Sequence, residues 1–200
     1  MRKQIHMEYL FDESRSKVLS GVLGISLFFC LAVLFSQIRI PLPYTPVPFT
    51  LQVLAVFLTG YFLTPRSAAA TMILYIMAGL SGLPVFSGAA GGAYSLAGPT
   101  GGYIIGFIPA AWMVSYLSGK KFFNRFNSLV TVACGLGIIY AFGLVHLLVY
   151  SKFATGLTGM ELLSFSVKIG ILPFLLIDSV KGILAAVLFY GLMGGKKLVQ

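Results

Sequence analysis

The chain has 200 residues, 58% of them hydrophobic and only 10% charged, against about 25% charged in an ordinary soluble domain. So few charges cannot cover a soluble monomer. The formal net charge of +9 does not mark a nucleic-acid binder, because Lys and Arg gather at segment ends, as a bilayer sorts them, and not along one face.

Hydrophobic runs of about 20 residues at 1.5 Å rise per residue match a hydrocarbon core about 30 Å thick. Six such runs leave only short connections. The expected fold is therefore all-α: one polytopic membrane domain over residues 1–200 with six transmembrane helices and no room for a soluble catalytic domain.

In chain order, residues 1–17 are polar and read as a short cytoplasmic tail or surface helix. Spans are expected at 18–38, 49–63, 67–79, 102–118, 128–150 and 170–193. The first is too long for a removed signal sequence and lacks a small-x-small exit. The second and third are short for a full crossing. With six spans, the N-terminal tail, Arg66, the segment from Lys120 to Arg125 and the Lys196-Lys197 tail carry ten basic residues on one side, against Arg39, Lys152 and Lys168 on the other. The positive-inside bias then puts both termini in the cytoplasm and the protein, multi-pass, in the cytoplasmic membrane.

Two outer connections stand out. Pro41-Leu42-Pro43-Tyr44-Thr45-Pro46-Val47-Pro48 holds four of the nine prolines, which makes it stiff. Residues 79–102 hold eight of the 23 glycines and no charge. Leu83, Val85, Phe86, Tyr94 and Leu96 in that stretch would be poorly placed in water, so it is expected to fold back over the outer mouth of the bundle as a re-entrant loop.

The most informative residues are Asp178 and Lys181. Each costs roughly 2.5–3.5 kcal/mol at a helix centre on insertion scales, so an ionisable pair there points to function, the alternative being a self-satisfied structural ion pair. Their spacing of three puts both on one helical face. Together they offer an acceptor and a donor, which an amide- or urea-like group would satisfy.

His146 shares a stripe with Gly143 and Tyr150 and reads either as an interhelical hydrogen-bonding residue or as a ligand contact. Gln52, in the first turn of its span, is either a pocket donor or a helix-end polar residue. Cys30 and Cys134 lie in apolar runs without Cys-x-x-Cys spacing and read as small apolar residues; no metal set is legible. The run from Gly191 to Lys197 misses the P-loop spacing. No Ser/His/Asp set and no H-E-x-x-H occurs, which argues against an enzyme.

Three blocks, Val47-Pro48-Phe49-Thr50-Leu51-Gln52, Gly98-Pro99-Thr100-Gly101-Gly102-Tyr103 with Gly106-Phe107, and Asp178-x-x-Lys181, together resemble the BioY family. That family comprises the biotin-binding S-components of energy-coupling factor (ECF) transporters. The resemblance runs from about Gln37 to the last helix, in family order.

It implies a biotin pocket at the outer side, with biotin as transported ligand and no cofactor bound by this chain. Asp178 and Lys181 would hold the ureido ring. Gln52, Tyr94, Thr100, Tyr103 and His146 are the further candidates for ligand contact, and Pro43, Pro46, Gly98, Pro99, Gly101 and Gly102 for a lid. Backbone N–H groups of the glycine-rich stretch are candidates for the biotin carboxylate. The implied partners are the lipid bilayer, a transmembrane coupling subunit and two ATPase subunits, with docking on small residues of the first helix. Here these would be Ala32 and Ser36, while Phe28 and Phe29 crowd the preceding turn. The alternatives are an S-component for another vitamin and a membrane scaffold whose Asp178–Lys181 pair only staples helices. A pore is disfavoured, since no repeated polar face lines several spans.

Overall fold

The computed structural model describes residues 2–119 and 125–193; Lys120, Lys121, Lys196 and Lys197 of the charge count lie outside the described residues. The order is α1 (Arg2–Gln37), β1 (Arg39–Ile40), β2 (Phe49–Thr50), α2 (Gln52–Phe62), α3 (Pro65–Leu80), α4 (Ala93–Ala97), α5 (Gly101–Ser118), α6 (Arg125–Thr155), α7 (Gly159–Gly170) and α8 (Leu172–Met193). Leu19–Gln37, Gly101–Ser118, Asn127–Thr155 and Leu172–Leu192 are long and apolar enough to cross a membrane.

Helix α2 is the centre of the bundle. All eleven of its residues are buried, as expected of a helix that is apolar all round, and α1, α3, α5 and α8 pack about it. On α1 the inward stripe is Phe28, Ala32 and Ser36, at spacings of four, while Leu19, Leu23, Leu27 and Leu34 are exposed. The stripe of α8 runs through Phe174, Asp178, Lys181, Ala185 and Phe189, with Leu176, Val180 and Val187 outside. Leucines on the outer faces of spanning helices suit lipid, and the small inward residues allow close helix approach.

At one end, the Ser115 hydroxyl donates to Leu63 O at 2.6 Å and ties α5 to the end of α2. Thr64 caps α3 by accepting from Ser67 N, with Pro65 following in the first turn, the arrangement that satisfies a helix start. The opposite end carries the strands, the glycine-rich segment and α7. There β1 and β2 pair antiparallel, Arg39 with Thr50 and Ile40 with Phe49, so the proline-rich segment is a strap closed at its base by a two-residue ladder.

The structure departs from the sequence reading at several elements. The polar N-terminal stretch, read as a short tail or surface helix, is helical and continuous with the first span, Arg2–Gln37 being one unbroken helix. The connection after α6 holds α7, twelve residues long, with Leu162, Ser166 and Ile169 facing inward. The last helix starts at Leu172, not 170, after a break at Ile171. Pro173 is the physical reason: it has no N–H for the carbonyl of Ile169, so α7 cannot run on into α8.

The glycine-rich segment is half covered. Val85 and Phe86 are buried, whereas Leu83 and Tyr94 are exposed. A side chain at Gly79 would overlap the Phe86 ring, so glycine at 79 is what lets that ring seat on α3. Ala32 and Ser36, expected on an outward docking face, instead point into this chain's own core. The Ser36 hydroxyl sits between two carbonyls, 2.6 Å from Val33 O of its own helix and 2.7 Å from Val85 O.

Candidate binding pocket

Asp178 and Lys181 meet inside the bundle at 4% and 5% exposure. The ammonium stands 2.6 Å from Asp178 Oδ1 and donates to Thr50 O at 2.7 Å. It also lies 3.9 Å from the centroid of the Phe49 ring, within cation–π range. A carboxylate and a carbonyl thus take two of the three N–H donors of the cation, and an aromatic face lies beside it. The other carboxylate oxygen, Oδ2, accepts from the Tyr140 hydroxyl at 2.9 Å. A buried ion pair persists only with such extra hydrogen bonds.

The pair lies on the wall of a cavity of about 50 Å³ between α2, α5, α6 and α8, roofed by Val47 and Pro48 of the strap. Its remaining wall is largely apolar, with Ile104, Phe107, Ile139 and Phe174 prominent. A water needs at least about 10–15 Å³ by this measure, so the space holds a few waters. A larger ligand must displace part of the wall.

Tyr103 and the strap are fixed by the break that Pro173 makes. With α7 ended, the carbonyls of Ile169 and Gly170 need donors from elsewhere. Thr45 of the strap donates its hydroxyl to Ile169 O at 2.7 Å, and Tyr103 donates to Gly170 O at 3.0 Å. The Tyr103 ring lies where any side chain at Gly143 would have to go, so glycine at 143 makes room for it.

Gln52, at the start of α2, lines the cavity. Its amide is held on both sides: Nε2 donates to Tyr75 Oη at 2.7 Å and Oε1 accepts from the Thr50 hydroxyl at 3.0 Å. Among the described residues, no three His, Cys, Asp or Glu side chains come close enough to hold a metal ion.

Comparison with known proteins gives the lineage. Residues 7–195 match the family model described as the BioY family. The chain belongs to the BioY family. It is 38% identical over 162 residues to the biotin transporter BioY of Thermotoga maritima, covering 81% of this chain and 89% of that one. It is 33% identical over 170 residues to the probable biotin transporter BioY of Pyrococcus horikoshii, covering 85% and 94%. Among solved structures, the fold is shared with the S-component for biotin from an ECF-type ABC transporter, with a TM-score of 0.78, 22% identity and coverage of 92% of this chain and 95% of that one.

Of the residues singled out in the sequence, this BioY-family chain brings Asp178, Lys181, Gln52, Thr100 and Tyr103 to one cavity. Tyr94 is not with them. It stands on the short helix α4, 90% exposed. His146 also lies outside the cavity. Its Nε2 is 2.9 Å from Gly98 O, and the ring borders an apolar groove of about 540 Å³ on the outer surface of α5 and α6. The partner lies in the segment between α4 and α5 and not on a neighbouring spanning helix.

From the two connections, Val47, Pro48 and Thr100 reach the cavity wall, while Pro43, Pro46, Gly98, Pro99, Gly101 and Gly102 do not line it. Several N–H groups considered for a carboxylate are engaged within the chain: Phe86 N donates to Ala90 O, Gly92 N to Gly79 O, Gly98 N to Tyr94 O, and Ala89 N to Gln37 Oε1. Tyr140 escaped the sequence reading. Its signal was a phenol in an apolar span three residues before Gly143, on the stripe already noted for His146.

Proposed function

We propose that this chain is a biotin-binding subunit of a membrane transport system. It forms a single, non-enzymatic integral membrane domain in the cytoplasmic membrane, captures biotin at the outer face and delivers it inward. The observation that carries this reading is the Asp178–Lys181 pair on the wall of a mostly apolar cavity in a chain of the BioY family.

The pair is neutral as a unit, so it suits a neutral, bifunctional polar group better than a free charge. A cyclic urea is such a group. Its carbonyl accepts from Lys181 and its N–H groups donate to Asp178, with Gln52 beside them. The apolar walls take the fused sulfur ring. The biotin carboxylate is assigned to the N-terminus of α5, whose N-cap residue Thr100 lines the cavity and makes no side-chain cap bond. The positive end of a helix dipole favours an anion there.

The topology proposed has six spans, the four long helices together with α2 and α3, and both termini in the cytoplasm. Glycine-rich and proline-rich connections then face outward over the pocket, the glycine-rich one re-entrant and contributing, with Pro43, Pro46, Gly98, Pro99, Gly101 and Gly102, to the lid. A transmembrane coupling subunit and two ATPase subunits supply energy, since the chain carries no P-loop of its own. With Ala32 and Ser36 turned inward, a coupling subunit would meet the exposed Leu19–Leu23–Leu27 face of α1 instead.

Uptake of labelled biotin by a biotin-auxotrophic bacterium tests the proposal. Expressing this chain with coupling and ATPase subunits should restore growth at trace biotin. No uptake above the empty vector, with the chain present in the membrane, would refute it.

A further inference from the structure

A chain of hydrogen bonds leads from the pocket to the glycine-rich segment through one buried phenol. Tyr75 of α3 is 1% exposed and does not line the cavity. Its hydroxyl donates to Val85 O at 2.9 Å and accepts from Gln52 Nε2 at 2.7 Å. A phenol has one proton. With that proton on a carbonyl, which can only accept, the oxygen must receive a donor from Gln52, and this turns the amide oxygen of Gln52 toward the Thr50 hydroxyl. Thr50 in turn gives its carbonyl to Lys181.

The far end of the chain is equally constrained. Ser36 Oγ is 2.7 Å from the same Val85 carbonyl, Gln37 Nε2 reaches Phe86 O at 3.3 Å, and Gln37 Oε1 accepts from Ala89 N at 2.9 Å. The Phe86 ring packs edge-on against Tyr75 at 5.4 Å between centroids. Ala89 has φ of 57°, a left-handed conformation that non-glycine residues rarely hold unless the surroundings impose it. The 84–89 turn is therefore held at Val85 and Phe86 by contacts with Tyr75 and at Ala89 by Gln37 of α1.

We infer that Tyr75 is a positioning residue that fixes the Gln52 amide at the pocket wall and couples occupancy of the pocket to the order of the 84–89 turn. A ligand that engages Lys181 and Gln52 strengthens the bonds on either side of Tyr75 and so holds the turn. By reciprocity, anything that loosens the turn weakens ligand binding by the same factor. The coupling rests on the biotin reading only for the identity of the ligand.

Hydrogen–deuterium exchange of the 84–90 peptide, with and without biotin, tests the coupling alongside labelled-biotin affinity for Tyr75→Phe and Ser36→Ala. Biotin should slow exchange at Phe86 and Ala89 by at least about 5-fold in the native chain, the lower range of a coupling between sites. Tyr75→Phe, which keeps the ring, should abolish that slowing and raise Kd about 3- to 10-fold, the size of one hydrogen bond. Ser36→Ala, remote from the cavity, should raise Kd several-fold too. A purely structural role for either hydroxyl would leave the affinity of the folded variants unchanged, and that result, or bound biotin with unaltered exchange, overturns the inference. A ligand-free arm separates the two proposals: Lys181→Ala should speed exchange at Phe86 and Ala89. If it does so while the native chain binds no biotin, the ligand assignment fails and the coupling stands; native exchange in Lys181→Ala refutes the coupling.

Discussion

Asp178 is the acceptor on which two donors converge, the Lys181 ammonium and the Tyr140 hydroxyl. Replacing it by Asn keeps size and one acceptor but leaves a buried ammonium without a counter-charge. A hydrogen bond to a charged group contributes about 1.5–3 kcal/mol. Asp178→Asn is therefore expected to weaken biotin at least about 10-fold, by the conversion of about 1.4 kcal/mol to each factor of ten. Thermal stability should fall as well, because the buried ammonium loses its partner; the ligand reading is tested by the affinity of the folded fraction. A large fall in thermal stability with unaltered affinity would favour the scaffold reading. Tyr140→Phe removes a single donor and should weaken binding by about 2- to 10-fold, read from the same equilibrium assay; an unchanged Kd would remove Tyr140 from the site. At this scale, the charged pair was legible because charge is costly in an apolar span, and its spacing of three placed both groups on one face. Tyr140 differs from a core Phe by one oxygen, and Thr50 contributes a backbone carbonyl, which no sequence pattern displays.

The apolar runs of the long helices could be read from composition, as could the stiffness of the strap. What could not be read was where the chain breaks. Helix α7 is short and half polar, so it gives no spanning signal, although Glu161 in its first turn and Lys168 in its last are the charges a helix dipole favours. Pro173 was visible in the sequence, yet its consequence is tertiary: the carbonyls it leaves at Ile169 and Gly170 are taken by Thr45 and Tyr103, which fixes the roof and one wall of the pocket. Gly143 belongs to the same construction, since the Tyr103 ring occupies the space of its missing side chain. Gly143→Ala should push that ring toward the cavity and weaken biotin by about fivefold or more, the scale of overpacking at about 1–3 kcal/mol. Affinity unchanged in a folded Gly143→Ala chain would show that the ring position does not matter.

For the molecule as a whole, composition alone separated a membrane protein from soluble and nucleic-acid-binding classes, and the outward leucines of α1 and α8 agree with that class. The cavity itself was beyond sequence reasoning. It forms where α2, a helix of only eleven residues, meets α5 and α8, which contribute three side chains each, and α6, which contributes two, and such convergence has no linear signature. The placement of Tyr94 and His146 shows the same limit: both neighbour residues of the glycine-rich block, yet one faces outward and the other holds the Gly98 carbonyl. The claim on which the rest depends is that Lys181 binds biotin inside this bundle. Equilibrium binding of tritiated biotin to the purified chain in detergent, with Lys181→Ala beside it, tests that most directly. The expected result is tight saturable binding by the native chain and none by Lys181→Ala. No binding by a folded native chain, or equal binding by both, would contradict it.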